Sequence, residues 1–212
     1  MKSWKNLIDQ INTIKNKSND LVLELVNYQY GYVAWCIGNK KEEEAEKYLD
    51  LAEENVKFLE KGKYNLSMVN AYKAAFYGFR IGLNSFVAPF VGRKSMNCAK
   101  MAMQLDANNP FGYVQYANVQ YYMPSMFGGS KSDALNHYLK AKDLMEKSTA
   151  ISEDWNYISL LTIIGKAYWD LGNLQTAKMY FEKILKIVND ATYEWVKKEM
   201  YPQLLKEIKN KK

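Results

Sequence analysis

The sequence predicts an all-α protein, an antiparallel helix-pair solenoid with about four helix pairs between flanking N- and C-terminal helices. Apolar residues recur along most of the chain at the three-to-four-residue spacing of one helix face. Four Pro and eleven Gly fall mostly between these stretches, and no stretch shows the alternation of a half-buried strand. The connections are short, which favours antiparallel neighbours. At 48% hydrophobic and 25% charged, the 212 residues have the composition of a globular protein.

Five helices are predicted in the first half of the chain. The second is expected to begin with Asp20 as its N-cap, and the third ends at Gly62, a residue suited to a helix C-terminus. The fourth is expected to end at Pro89, because proline lacks the N–H that a helix interior needs. The predicted spans are 3–14, 20–37, 41–61, 66–88 and 93–105.

Five more helices are predicted in the second half. Ser130 and Ser152 are expected N-caps, since a serine hydroxyl can accept from the first free amides of a helix. Pro202 must either kink the last helix or begin a new turn. The predicted spans are 111–122, 130–147 and 152–171, followed by helices that start at Asn173 and Thr192.

Residues 158–190 carry the most regular pattern in the sequence. Small and aromatic residues stand at offsets of 0, 3, 7, 12, 16 and 19, and these are Gly165, Tyr168, Gly172, Ala177, Phe181 and Ile184. The spacing resembles one tetratricopeptide repeat (TPR), a family whose unit is a pair of antiparallel helices brought close by small residues. The resemblance directs the functional question toward binding surfaces.

The TPR resemblance extends to earlier parts of the chain. One helix pair cannot bury its apolar faces alone, so the resemblance implies stacked neighbours within a single domain over 1–212. The N-terminal helix at 3–14 and a C-terminal capping helix at 192–209 would flank the stack. The expected copies are 24–57, 71–106, 111–144 and 158–190.

The loop MPSMFGGS, residues 123–130, separates the two helices of the third copy. Together with the helix after it, the loop resembles a divergent bacterial TPR subgroup that includes lipoproteins associated with TRAP-type transporters. Two glycines would allow a ligand to approach the backbone, and the apolar loop residues could gate a groove. We favour the alternative, in which Met123, Met126 and Phe127 pack down onto the core.

The TPR resemblance also implies where a partner would bind. In that family ligands usually lie in a concave groove lined by the first helix of each pair. Large amphipathic rings suit such surfaces, although an aromatic stripe at helical spacing more often fills a core than lines a groove. Lys166 and Asp170 are four residues apart and could form a surface ion pair, or Lys166 could hold a partner carboxylate. The candidate binding residues are Tyr28, Tyr32, Trp35, Tyr72, Phe79, Gln115, Tyr122, Lys166, Trp169 and Asp170.

The sequence offers no pattern for catalysis, a metal or a cofactor. It contains no phosphate loop, dinucleotide fingerprint, zinc-ligand spacing or nucleophile motif. His137 is the one histidine, and Cys36 and Cys98 are expected to be free thiols in apolar surroundings. We therefore predict a protein that is not an enzyme and that carries no cofactor.

The net charge of +6 is uneven, with lysine in excess toward the C-terminus. Interleaved Lys and Glu on a helix usually form a solvated face, and the functional alternative is a basic patch for an acidic partner or a membrane surface. Nucleic acid binding would call for clustered Arg beside stacking aromatics. No apolar run is long enough for a membrane span. The chain is expected to be cytoplasmic as given, or periplasmic if an upstream leader was removed.

Two functions are compatible with these observations. The first is a non-enzymatic scaffold that binds a peptide or protein segment in an aromatic-lined groove. The second is a periplasmic small-molecule-binding or transporter-accessory protein with an apolar ligand enclosed by the helices.

Overall fold

The computed structural model describes residues 1–147, 155–188 and 193–211. In these ranges the chain is all-α, and no residue lies in a strand. Short 3-10 turns at Ser85–Val87 and Ser125–Phe127 and a π-helical turn at Val196–Met200 complete the helical elements. The helices are α1 (Lys2–Thr13), α2 (Asn19–Gly38), α3 (Glu42–Lys61), α4 (Leu66–Leu83), α5 (Ala88–Leu105), α6 (Pro110–Tyr122), α7 (Lys131–Met145), α8 (Trp155–Asp170), α9 (Leu174–Ile187) and α10 (Tyr201–Asn210).

Short polar side chains begin three of these helices. Asn65 caps α4, and Ser130 caps α7 as predicted, by accepting from the Asp133 amide. The prediction of Asp20 as the cap of α2 was wrong, because Ser18 accepts from the Leu21 amide instead. Asp20 lies in the first turn of α2, where a negative charge is favourable, and its carboxylate accepts from the Tyr64 hydroxyl.

Pro89 begins a helix instead of ending one, which corrects the predicted bounds of the fourth and fifth helices. Helix α4 stops at Leu83, and the Asn84 side chain then accepts from the Phe86 amide at 3.0 Å. Helix α5 follows the 3-10 turn directly, with Pro89 in its first turn. A missing N–H costs nothing there, since the first amides of a helix have no partner within it.

Pro202 also lies in a first helical turn. The π-helical turn Val196–Met200 leads directly into α10, so the proline begins a new α-helix. The predicted cap at Ser152, the predicted helix start at Thr192 and the last two residues of the repeat 158–190 lie outside the described residues.

The structure divides into two compact units, Met1–Val119 and Gln120–Lys212, and the boundary falls inside α6. The prediction of a single domain stays a prediction.

In the first unit, α2 packs against α1, α3 and α4, and α4 packs against α3 and α5. Small residues line α4 and α5, and Ser67 and Ser95 donate to backbone carbonyls across that pair. The fully buried large side chains of this unit are Ile8, Leu25, Tyr48, Leu49, Leu59, Tyr72 and Phe76.

The second unit contains the helix pair with the TPR spacing, α8 and α9. A Cβ built on Gly165 would lie 2.9 Å from Cε1 of Phe181, so only glycine allows this approach of the two helices. Gly172 takes a left-handed φ of 80° where the chain turns from α8 into α9. Val196 of the π-helical turn and Leu204 of α10 share a buried cluster with this pair. The predicted all-α helical repeat is therefore confirmed.

Candidate functional site

A cluster of polar side chains in the second unit surrounds the carboxylate of Asp170. Its Oδ2 atom accepts from the Tyr121 hydroxyl at 2.5 Å, from Lys131 Nζ at 2.8 Å and from Lys166 Nζ at 3.2 Å. Lys166 also donates to the Tyr121 hydroxyl at 2.9 Å. Three helices thus contribute to one group, since Tyr121 is on α6, Lys131 on α7 and the other two residues on α8. We call these four residues the Asp170 cluster.

The ionisation of the Asp170 cluster follows from these contacts. Burial opposes ionisation of Asp170, but the bonds from Lys131, Tyr121 and Lys166 outweigh it and lower the pKa of the carboxyl. Burial and the bond to Asp170 raise the pKa of the Tyr121 hydroxyl, so it stays protonated near neutrality. The ring of Tyr121 lies beneath both ammonium groups, at 5.4 Å from Lys131 and 5.3 Å from Lys166.

The charges of the Asp170 cluster do not cancel. Two ammonium groups meet one carboxylate, which leaves a net charge of about +1 at neutral pH. Both lysine side chains are nearly half exposed. Each ammonium has three N–H donors, so the cluster can donate to one more anionic group. Tyr122, the exposed neighbour of Tyr121, places a ring beside it at 4.9 Å.

The loop 123–130 presents apolar side chains to solvent. Met126 is 82% exposed and Phe127 is 68% exposed, so the expectation that these two pack onto the core was wrong. The loop closes on itself through hydrogen bonds from the Phe127 amide and the Gly129 amide to the carbonyl of Pro124. A Cβ on Gly129 would lie 1.8 Å from the carbonyl oxygen of Met123, so that position requires glycine. This compact turn holds its apolar residues outward.

Trp169 precedes Asp170 in the sequence but contacts residues outside the Asp170 cluster. Its Nε1 donates to Glu207 of α10 at 2.6 Å, and its ring meets Phe181 edge-on at 6.3 Å. Of the three residues predicted on α8, Lys166 and Asp170 come together and Trp169 instead contacts the C-terminal helix.

In the first unit, three predicted residues, Tyr72, Phe79 and Gln115, lie in one aromatic cluster. Tyr30 stacks on Phe79 at 5.3 Å and meets Phe111 edge-on at 5.2 Å, and Phe111 lies 4.8 Å from Tyr72. Gln115 donates to the Tyr30 hydroxyl at 3.4 Å. Tyr72 and Gln115 are almost fully buried, whereas Phe79 and Tyr30 are half-buried. This group is mainly core with a partly accessible side.

The three predicted aromatic residues of α2, Tyr28, Tyr32 and Trp35, have different neighbours. Tyr32 is buried, stacks on Trp35 at 5.9 Å and donates to Glu44 at 2.9 Å. Trp35 carries the ammonium of Lys41 over its ring at 4.7 Å. Tyr28 meets Trp4 of α1 edge-on and donates to Glu24. These rings contact α1 and α3.

Sequence reasoning did not include Lys131, Tyr121 or Tyr30 among the candidates. Lys131 is the first residue of α7. It was not a candidate because α7 is the second helix of its pair, and the candidates were taken from first helices. Tyr121 precedes Tyr122 on α6, and only the helix orientation decides which ring turns inward. Tyr30 alternates with Tyr28 and Tyr32, so a register error of one residue selects the wrong face of α2.

Within 1–147, 155–188 and 193–211, no group of three or more His, Cys, Asp or Glu side chains could hold a metal ion. No helix in those ranges is both long enough and apolar enough to cross a membrane. Cys36 is buried and Cys98 half-buried, and neither is in a disulfide.

The fold and the repeat at α8 and α9 define the class of the protein, a TPR-like helical-repeat protein. Residues 158–188 match the family model of the tetratricopeptide repeat. The structure is similar to that of the HusA haemophore from Porphyromonas gingivalis, with a TM-score of 0.64 and 18% identity over 79% of this chain and 84% of that one.

A second solved structure, BtubC (BKLC) from P. vanneervenii, has a TM-score of 0.46 and 13% identity over 88% of this chain and 71% of that one. The search of curated protein sequences gives no match. The predicted resemblance to the TPR-like helical-repeat superfamily is confirmed by the repeat and by the fold.

Proposed function

We propose that the protein is a non-enzymatic scaffold that binds an acidic peptide or protein segment, and that the second unit contacts it through the Asp170 cluster. The observation that carries the proposal is the excess of cations in that cluster. Lys131 and Lys166 share the single carboxylate of Asp170, and both remain accessible. A helical binding scaffold with a surplus of positive charge at one surface suits a partner that supplies a carboxylate.

The geometry of the cluster supports this choice of ligand. The bond to Asp170 and the ring of Tyr121 fix both ammonium groups, so less side-chain entropy is lost when a partner binds. The exposed ring of Tyr122 adds apolar contact area next to the charges. An acidic residue beside an apolar one in the partner would match this pairing.

The contribution of each lysine is expected to be modest, because exposed ion pairs are worth about 0.2–1 kcal/mol. Removing both lysines should therefore weaken binding by about tenfold at low salt. Added salt should reduce the affinity of the wild type more than that of the double variant, because screening acts on the charges that the variant lacks.

The test is a peptide array in which each acidic peptide is paired with its Gln and Asn counterpart. We expect the wild type to retain acidic members over their neutral partners and the Lys131→Ala, Lys166→Ala variant to lose that preference. Lys140→Ala is the matched control, because Lys140 is exposed on α7 and forms no ion pair with a described residue. Equal retention of acidic and neutral peptides by the wild type would reject the proposal.

A small apolar ligand is the second candidate. It is favoured by the stacked, half-buried rings of Tyr30 and Phe79, which leave a partly open aromatic surface in the first unit. HusA is described as a haemophore, and at this identity the likeness concerns the fold. Haem is the first probe for this candidate. An absorbance titration in which the spectrum of haem is the same with the protein as in buffer would count against a small apolar ligand.

A further inference from the structure

The turn between α4 and α5 exposes two large aromatic side chains. Phe86 is 87% exposed and Phe90 is 74% exposed. They are four residues apart in a 3-10 turn that continues into α5, so they lie on the same side of the turn. A single exposed phenylalanine is ordinary, but two adjacent ones form an apolar surface that folding has left in water.

The exposure of these rings is fixed by the packing of α5. Ser95, which is buried on the opposite face of the helix, donates to the carbonyl of Ala74 at 2.7 Å. Near the other end of the pair, Ser67 donates to the carbonyl of Ala102 at 2.8 Å. A rotation of α5 that buried Phe86 and Phe90 would break these bonds, so the rings point outward as a consequence of the packing.

The chain around this turn contains cations and no acids. Between Glu60 and Asp106 there is no Asp or Glu. Two of the cations in this stretch are paired with acids of α3, Lys73 with Glu60 at 2.7 Å and Arg80 with Asp50 and Glu53. The cations of the stretch are Lys61, Lys63, Lys73, Arg80, Arg93, Lys94 and Lys100.

Arg93 and Lys94 follow the exposed rings by one helical turn. Both are exposed, and neither forms an ion pair with a residue in the described ranges. A rise of about 1.5 Å per residue places them roughly 5 Å along α5 from Phe90. The turn therefore presents apolar rings at its end and unpaired positive charges just behind them. We call Phe86, Phe90, Arg93 and Lys94 the α4–α5 tip.

We propose that the α4–α5 tip docks on an anionic lipid surface. The two phenylalanine rings enter the boundary between headgroups and acyl chains, while Arg93 and Lys94 remain at the level of the lipid phosphates. This order of apolar residues ahead of cations is what an interfacial anchor requires. Charge complementarity selects the occupant, because Arg93 and Lys94 lie in a stretch of chain without acidic residues and a cluster of cations near a bilayer is attracted to anionic lipid.

The proposal is tested by co-sedimentation of the full chain with phosphatidylcholine vesicles, with and without phosphatidylserine. We expect the wild type to bind the phosphatidylserine vesicles and to bind the neutral ones more weakly. Phe86→Ser with Phe90→Ser should weaken binding by at least about tenfold, since each ring loses apolar burial. Arg93→Gln with Lys94→Gln should weaken it by roughly 25-fold at low salt and by less at high salt.

Matched controls are available on α3 of the same unit. Phe58 is an exposed phenylalanine and Lys57 an exposed lysine, both outside the tip. Phe58→Ser and Lys57→Gln should leave vesicle binding at the wild-type level. All substituted side chains are exposed, so the variants should keep the wild-type helical circular dichroism.

Several outcomes would overturn the proposal. One is a wild type that stays in the supernatant with phosphatidylserine vesicles. Another is that the tip variants and the α3 controls bind alike. If the phenylalanine variant instead lowers a concentration-dependent mass in sedimentation equilibrium, the tip is an interface between copies of the chain. If a single-stranded oligonucleotide binds the tip and the vesicles do not, the partner is a nucleic acid.

Discussion

The absence of one methyl group at Gly165 allows α8 and α9 to pack closely. The ring of Phe181 occupies the space where a Cβ would stand, and Tyr180 closes the same gap from beside it. Gly78 stands seven residues after the start of the copy 71–106, as Gly165 does in 158–190, yet a Cβ there would meet nothing within 4 Å. The two glycines therefore have different physical roles, which their shared sequence position conceals.

Replacing these glycines should change stability in opposite directions. Gly165→Ala is expected to lower the free energy of unfolding by about 1–3 kcal/mol, because the methyl group overlaps the Phe181 ring. Gly78→Ala, the control, should raise it by about 0.5–1 kcal/mol, since alanine restricts the unfolded chain and the helix has room for it. Urea denaturation measures both values. A Gly165→Ala protein as stable as the wild type would show that the helices can separate freely.

Glu146 is the acidic centre of a second ionic group in the second unit. Lys142 donates to its Oε2 at 2.8 Å, and Tyr157 and Lys183 donate to its Oε1. Burial opposes the charge, but these three bonds prevail and lower the pKa of Glu146 from its ordinary 4.5 to about 2.

The lowered pKa of Glu146 predicts how stability depends on pH. A depressed folded-state pKa contributes stability that is present above the unfolded value of 4.5 and is lost as pH falls toward about 2. Glu146→Gln should therefore be less stable than the wild type at pH 7, by about 1 kcal/mol for a partly exposed group. The difference should shrink between pH 4.5 and about 2. Thermal unfolding across this range measures it.

The control for this measurement is Glu199→Gln. Glu199 is exposed in the π-helical turn and forms no ion pair with a described residue. Its stability difference from the wild type should stay small at every pH. A Glu146→Gln difference that is the same at pH 3 and pH 7 would contradict the assignment.

At the scale of the elements, α10 is held to the second unit by one face. Leu204 is fully buried in the cluster that also contains Phe181, and Glu207 accepts from Trp169 on the same helix pair. Leu205, the next residue, is 38% exposed. The C-terminal helix therefore covers part of the apolar surface of α8 and α9, and its role as a capping helix stays a prediction.

Adjacent leucines on α10 allow a matched test of this role. Leu204→Ala should lower the free energy of unfolding by about 2–5 kcal/mol, because it leaves a cavity in the buried cluster. Leu205→Ala should change it by less than about 1 kcal/mol. Denaturant unfolding followed by circular dichroism gives both values. Equal effects of the two changes would mean that α10 is not fixed in this orientation.

The sequence predicted the helices well and some of their ends badly. Every α-helix in the described residues was expected, because apolar spacing reports the buried face directly. Pro89 misled the prediction, since proline is compatible with the start of a helix as well as with its end. Asp20 and Ser18 are both chemically able to cap α2, and only the path of the backbone decides between them.

At the scale of the whole molecule, periodicity and the regular repeat at 158–188 were enough to predict a TPR-like helical repeat. The candidate site was only partly predictable. Lys166, Asp170 and Tyr122 come together as neighbours of Tyr121, but Lys131 joins them from α7, which no repeat rule indicates. Helical spacing shows which face of a helix is apolar. The residues of other helices that contact this face depend on tertiary packing, which cannot be predicted from the spacing in one sequence.

The closed loop 123–130 restricts how this chain can change in evolution. The Ser130 amide donates to the Gln120 carbonyl at 3.0 Å, and Gly129 lies against the backbone of Met123. Inserting or deleting one residue would shift both contacts out of register. The loop 123–130 between α6 and α7 therefore tolerates neither an insertion nor a deletion. Its two outermost side chains, Met126 and Phe127, can vary in chemistry without disturbing the backbone that carries them.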